Sequence, residues 1–339
     1  MDMRVSTNFI SNIDELTMEQ LQSMLRLEHD INTVRQLIRK YCIEANSSDL
    51  RKKGMEYLYM HGYFDDLEEL INKNIQSSDP SMKQWAEVYQ ILLNIKHGRY
   101  AKCEAVEAVK SVETKEPELL CLLEFAMIYK EYSLCQYKEL GNFISMYDQY
   151  MSEIDDFYLQ ESFKIRYIQL SLMYTLMRNE IIVARRLAYK LLNQVMNPYI
   201  LLDTHIKLGL SYTFDSYFKA IYHMHEALKI AKEYDFPSEM NVIEKQYIPF
   251  LSAHFGKADQ ITTTDKTEQA HLELAKGNKE DAIEILTDVA EHTPFSKYYL
   301  GKALKDKSLL IQSYKQFVHK RNDYFFSRLP LNELRRIYF

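Results

Sequence analysis

Residues 267–294 read TEQAHLELAKGNKEDAIEILTDVAEHTP, the pattern of two amphipathic helices joined by a tight turn. Gly277-Asn278 supplies the turn, because glycine enters positive φ without a Cβ clash. Ala270 and Ala282 are small where the two helices would cross closely. Leu274, Ile283, Leu286 and Val289 share one face at helical spacing, and Pro294 closes the unit. Counted from Gly277, the positions of Ala282, Leu286, Val289 and Pro294 match a tetratricopeptide repeat, whose period is about 34 residues. One such hairpin cannot bury its apolar face alone, so others must stack on it. That points to an all-α, tetratricopeptide-like superhelix (an α-solenoid) that holds a guest along its inner surface rather than running a reaction.

Composition agrees. Among 339 residues there are only 8 glycines and 7 prolines, about 2% each against usual levels of roughly 7% and 5%. A sheet protein would need many more turn glycines. The 26 tyrosines suit packing between helices, where a flat ring meets a polar tip. A net charge of −6 without a long Lys/Arg block argues against a free-standing nucleic-acid binder. Arg335-Arg336 and the cluster from Lys315 to Arg321 read as solvated helix faces. Cys42, Cys103, Cys121 and Cys135 are far apart and form no CxxC, so neither a disulfide framework nor a metal site is expected. No stretch reaches the ~18 apolar residues of a membrane span, which predicts a cytoplasmic protein with reduced thiols and no membrane partner.

Along the chain, residues 1–45 read as a helical lead-in, with capping residues Ser11 to Glu15 ahead of its first helix. Residues 46–339 read as the repeat domain. Turns near residues 62, 98, 178, 215, 277 and 306 are unevenly spaced, and 117–155 is the least repeat-like region. Leu208-Gly209-x-x-Tyr212, followed by Ala220 and Ala227, resembles a second tetratricopeptide unit. Gly256 to Asp265 is the best loop candidate.

No chemistry-bearing motif emerges. Phe255-Gly256-Lys257 and Gly301-Lys302 lack the rest of a phosphate loop. His223 and His225, two apart on a helix, point away from one another and cannot share a metal. Neither enzyme activity, cofactor nor metal is expected. The polar residues with recognition potential are Arg166, Gln169, Asp203, Lys207 and Tyr212, which recur on first helices of successive hairpins. Such helices line the concave side of an array, where an extended peptide can be held.

Several segments together resemble the arbitrium receptors (AimR) of Bacillus phages. These are Trp85 to Tyr89, Lys115 to Glu118, Lys207 to Phe214, Phe255 to Lys257, Tyr298 to Lys302 and Asp323 to Leu331. The resemblance covers most of the chain from Tyr41 onward. It implies a helical-repeat receptor of a short phage-encoded peptide that sets the choice between lysis and lysogeny. It also implies a homodimer paired through C-terminal helices, for which Phe325, Phe326, Leu329, Ile337 and Phe339 would supply apolar contact. Family members begin with a helix-turn-helix domain, whereas this sequence starts at the following linker, so direct DNA binding by this polypeptide is doubtful. The peptide clamp also departs from the family pattern. Two asparagines one turn apart are replaced by Met173 and Met177, a gripping arginine by Tyr199, and a further asparagine by Leu210. The acidic anchor is kept as Asp323, and Asn179 stands at the turn after Met177. Methionine packs but cannot bond a peptide backbone, so the ordinary arbitrium peptide is expected to bind poorly.

The expected function is therefore a receptor-type phage regulator that binds a short peptide or partner protein. The alternative is a helical-repeat adaptor that binds a host or phage protein, with neither peptide ligand nor DNA contact.

Overall fold

The structure, a computed structural model, describes residues 16–289 and 293–338. All regular structure among them is helical, and no helix is long and apolar enough to cross a membrane. They fall into two compact units, one within 1–134 and 142–166, the other within 135–141 and 167–339. This division does not coincide with the boundary expected at residue 45.

The first unit contains α1 (Met18–Glu28), α2 (Ile31–Glu44), α3 (Ser48–Met60), α4 (Phe64–Ile75), α5 (Pro80–Lys96), α6 (Lys102–Ser111) and α7 (Pro117–Ser133). α8 (Lys138–Met151) and α9 (Phe157–Met177) contribute residues to both units. The second unit continues through α10 (Ile181–Gln194), α11 (Pro198–Ser211), α12 (Tyr217–Glu233), α13 (Pro237–Val242) and α14 (Ile248–His254). It ends with α15 (Lys266–Lys276), α16 (Lys279–Thr287), α17 (Pro294–Leu304), α18 (Lys307–Lys315) and α19 (Arg328–Tyr338).

The few prolines and glycines sit where helices start and stop. Pro80, Pro117, Pro198, Pro237 and Pro294 each open a helix, where the missing N–H costs nothing. Asp79, Asn197 and Thr293 cap three of these from the preceding position. Gly62, Gly98 and Gly277 take positive φ at hairpin turns. The first helix is capped by Thr17, whose hydroxyl accepts from the Gln20 amide while the Gln20 side chain accepts from the Thr17 amide. The capping residues expected earlier, Ser11 to Glu15, lie outside the described residues. Pro249 falls inside a helix, and the turn before it, Ile243–Tyr247, widens to π geometry. A proline ring clashes with the carbonyl four residues back, and a π turn relieves that contact.

Side-chain hydrogen bonds between first helices show the repeat directly. Tyr89 of α5 bonds Glu56 of α3, 33 residues away, and Ser81 of α5 bonds Glu116 beside α7, 35 away. In the second unit Gln169 of α9 bonds Asp203 of α11, 34 residues away. Tyr199 of α11 bonds Glu239 of α13 at a separation of 40, and Tyr299 of α17 bonds Glu268 of α15 at 31. Separations of this size are what stacked hairpins impose.

In the hairpin α15–α16, Ala270, Ala282 and Leu286 are fully buried, while Leu274, Ile283 and Val289 are only half-buried. The seam on α15 runs through Glu268, His271 and Leu272 instead. At the α11–α12 crossing, a Cβ on Gly209 would lie 2.7 Å from Met224 Cε and 3.0 Å from the Ala220 carbonyl oxygen. The expected Gly209-x-x-Tyr212 pattern thus marks a close backbone approach.

Candidate ligand-binding site

Asp203 is the centre of the polar group between α9 and α11. Gln169 Nε2 donates to its Oδ2 at 3.2 Å, and Lys207, one turn along α11, forms an ion pair with the same oxygen. Lys207 is buried, whereas Gln169 and Asp203 are half-buried. Farther along the first helices, the Tyr199 hydroxyl donates to Glu239 Oε1 at 3.0 Å and its ring meets Phe236 edge-on. Gln169 is therefore carried by α9 and Asp203, Lys207 and Tyr199 by α11, two successive first helices, where the spacing placed the first three.

The remaining expected site residues go elsewhere. Arg166 belongs to the first unit and has no exposed surface. Its Nε and Nη2 reach the two Glu56 carboxylate oxygens at 2.9 and 2.5 Å, and Nη1 donates to the Tyr129 hydroxyl at 3.1 Å. It is committed to this core and does not face a guest. Tyr212, 6% exposed, lies between α10 and α12, with the Arg185 guanidinium 3.7 Å from its ring centroid. Met173, Met177 and Leu210 are buried in the subunit and line no open apolar surface. The Met177 carbonyl instead accepts the amides of Tyr324 and Phe325 at 2.8 and 3.1 Å. Asn179 takes φ 63° in the turn after α9, a conformation asparagine tolerates, and its Oδ1 accepts from Arg328.

Asp323 is 2% exposed and accepts the Phe326 amide at 2.8 Å, which caps the turn ahead of α19. Burial pushes its carboxyl up to about 7, against the Phe326 amide and Arg321. Its present partners belong to the fold.

The expected dimer residues also need correction. Phe325, Phe326 and Leu329 are buried within the chain's own fold. Phe325 meets Phe214 and Phe326 edge-on at 5.1 and 4.9 Å, and Phe326 meets Phe250 and Phe295 at 5.8 and 5.2 Å. An apolar run near a terminus reads the same whether its own core or a second copy covers it. Ile337 is half-buried, and Phe339 lies outside the described residues.

Sequence reading missed a second polar group in the same row of helices. Glu268 of α15 lies 3.3 Å from His271 Nδ1, and the Tyr299 hydroxyl of α17 donates to its Oε1 at 3.2 Å. The His271 and Tyr299 rings stack at 4.1 Å, and His271 Nε2 has no hydrogen-bond partner. Burial, reinforced by Asp265, pushes the Glu268 carboxyl up to about 8, while burial drives His271 well below its usual range. Both groups are neutral near pH 7. The available signal was a Glu and a His three apart on the apolar face of a hairpin helix.

Where α10, α11 and α12 meet, a second cluster of rings is gathered. Tyr189 and Tyr212 hydroxyls lie 3.2 Å apart, Tyr212 stacks on His223, and His223 Nδ1 is 3.0 Å from His205 Nδ1. Burial holds both histidines down at about 4, with mutual repulsion adding to the effect at His223.

Side-chain bonds that join first helices to first helices define a helical-repeat scaffold. A family model described as AimR transcriptional regulator-like matches residues 34–336, and the chain belongs to that family. It is 23% identical over 315 residues to the AimR transcriptional regulator of Bacillus phage SPbeta, spanning 89% of this chain and 80% of that protein. Against the AimR transcriptional regulator of Bacillus phage phi3T the identity is 23% over 345 residues, spanning 96% and 88%. An uncharacterised Bacillus anthracis protein is 25% identical over 244 residues, spanning 68% of this chain and 90% of that one. Among solved structures, phAimR with its ligand is similar, with a TM-score of 0.84 and 20% identity over 95% of this chain and 98% of the other. The fold is thus the AimR helical-repeat fold, and the protein is an AimR-like regulator.

Proposed function

We propose that this regulator is a receptor whose second unit holds a short peptide along the first helices α9, α11 and α13. The observation that carries the reading is the partly open group of Gln169 and Asp203 with the buried Lys207, beside Tyr199–Glu239 on the same row. A carboxylate, an ammonium and an amide on adjacent helices offer both donors and acceptors to an extended backbone. Loss of the polar clamp at Met173 and Met177 favours a peptide other than the ordinary arbitrium peptide, one that exchanges hydrogen bonds with this group. Binding would act by favouring one of two shapes of the array, through differential affinity.

We further propose pairing of two copies through the C-terminal helices. A groove of about 680 Å³ lined by Lys307, Ile311, Leu331, Leu334 and Arg335, between α18 and α19, fits that contact better than the buried phenylalanines.

The adaptor alternative draws support from one feature: Gln169, Asp203 and Lys207 already satisfy one another, so no guest is needed to pair them. Isothermal titration with short peptides encoded by Bacillus phages separates the readings. The receptor reading expects one peptide to bind and Asp203→Ala to weaken it about tenfold or more, the loss of one charge-assisted contact. Silence across the set, with a defined host or phage protein retained in a stable complex, selects the adaptor.

A further inference from the structure

The second helices of the same hairpins present a face that the fold does not use. Ile182 and Tyr189 of α10 are 87% and 42% exposed, and Phe218 and Tyr222 of α12 are 83% and 57% exposed. Large apolar side chains this open, gathered on two neighbouring helices, mark interaction sites more often than chance exposure. Tyr189 and Tyr222 both contact the His223 ring, at 6.2 and 5.2 Å, so the two helices share one surface there.

Cations outnumber carboxylates on this face of an acidic chain, with Glu226 of α12, one turn beyond Tyr222, the acidic group near it. α10 carries Arg185, Arg186 and Lys190 and no carboxylate between Ile181 and Gln194. Arg185 is held by the Ser211 carbonyl and by Asp215. Exposed Arg186, Lys190 and Lys219 have no ion-pair partner among the described residues. Lys219 lies over the Tyr212 ring at 5.4 Å. Tyr189 and His223, at the centre of the face, are held by the Tyr189–Tyr212 hydroxyl contact and the His205–His223 pair. A surface fixed in advance loses little rotamer freedom on binding, and Tyr and Arg are the residues on which interface energy concentrates.

We propose that this face of α10 and α12 docks an acidic segment of a protein partner, one that presents an apolar stripe flanked by carboxylates. Ile182, Phe218 and Tyr222 would take the stripe, and Arg186, Lys190 and Lys219 the carboxylates. A nucleic acid fits less well, because the most exposed groups are an isoleucine and a phenylalanine and the chain as a whole is acidic. A second copy of the same face would set cation against cation. The face lies on second helices, whereas the candidate peptide site lies on first helices, so this inference does not rest on the receptor reading.

Fluorescence anisotropy tests it with three probes. They are a synthetic helical peptide bearing a Leu/Phe stripe flanked by Glu, the same peptide with Gln for Glu, and oligo-dT. The Glu peptide is expected to bind, more weakly at high salt, and the Gln peptide at least about tenfold less. Phe218→Ser and the pair Arg186→Glu with Lys190→Glu should each reduce binding about tenfold, with Leu27→Ser as an exposed control that changes nothing. All altered side chains are open to solvent, and melting curves matching the parent establish that each variant is folded. Absence of binding, equal binding of the Gln peptide, or binding indifferent to both variants overturns the proposal. Preference for oligo-dT would make the face a nucleic-acid platform. Conversion of dimer to monomer by these variants in sedimentation would make it a self-interface.

Discussion

Glu56 in the first unit and Glu268 in the second are carboxyls shut away from water, and they meet that problem by opposite means. Burial alone would raise Glu56, but the charge and hydrogen bonds of Arg166, with Ser162 and Tyr89, hold it below the usual carboxylate range. Arg166 is raised well above its own ordinary value by the same partner, and the Tyr59 ring covers its guanidinium at 4.4 Å. Every charge there is matched. Glu268 has only a tyrosine hydroxyl and a neutral histidine, so it keeps its proton, and one nitrogen of that histidine is left unbonded. The contrast teaches that similar repeat positions on first helices serve either to lock helices together or to hold polar groups in reserve. The partner that meets the buried carboxyl, a guanidinium or only neutral groups, tells which.

The largest effect that would break this contrast is at the matched pair. Arg166→Met should cost about 3–5 kcal/mol, since it strands a buried carboxylate. Chemical denaturation will show it as a lower midpoint, and a loss under about 1 kcal/mol would mean the pair is not held as described. Replacing Glu56 by Leu as well should recover much of that loss, because the stranded charge is then gone.

Next comes the pH response of Glu268. Its folded value of about 8 lies above the ordinary 4.5. The folded state therefore holds the proton more tightly, and the contribution is fully present below about 4.5 and lost as pH rises through 8. For one proton the slope is at most about 1.4 kcal/mol per pH unit. Glu268→Gln should flatten the decline between about pH 5 and 8 in denaturation series, and an unchanged slope would contradict a neutral Glu268.

His205 and His223 act on the other side. Their folded values of about 4 lie below the ordinary 6.5, so stability falls as pH drops from about 6.5 toward 4. His223→Gln should soften that acid limb by less than the Glu268 effect. The smallest change is expected for His271→Phe. It removes the unbonded nitrogen between Phe250 and Tyr299 together with the Nδ1 contact to Glu268, two opposing effects that should leave a shift under about 1.5 kcal/mol in either direction.

Much of the scaffold was legible in the sequence because turns and helix starts carry local signals. Gly62, Gly98, Asn179 and Gly277 turn where positive φ is needed, and proline opens helices where its missing N–H is free. Side-chain destination was less legible. Arg166 and Gln169 stand three residues apart on one helix, yet one is sealed against Glu56, 110 residues away, and the other reaches Asp203. Helical periodicity reports a face, not what covers it. The same gap explains Phe325 and Phe326, whose covering rings come from residues 214, 250 and 295. It also explains Glu268 and His271, which stood in the best-read hairpin and were passed over because polar residues on an apolar seam look like surface positions.

The central claim, that first helices of the second unit hold the guest, is tested most directly by hydrogen–deuterium exchange with and without a peptide that titrates. The account predicts slowed exchange in residues 167–177 and 198–211, with the second helices 181–194 and 217–233 changing less. Protection confined to those second helices, or to the first unit, would contradict it.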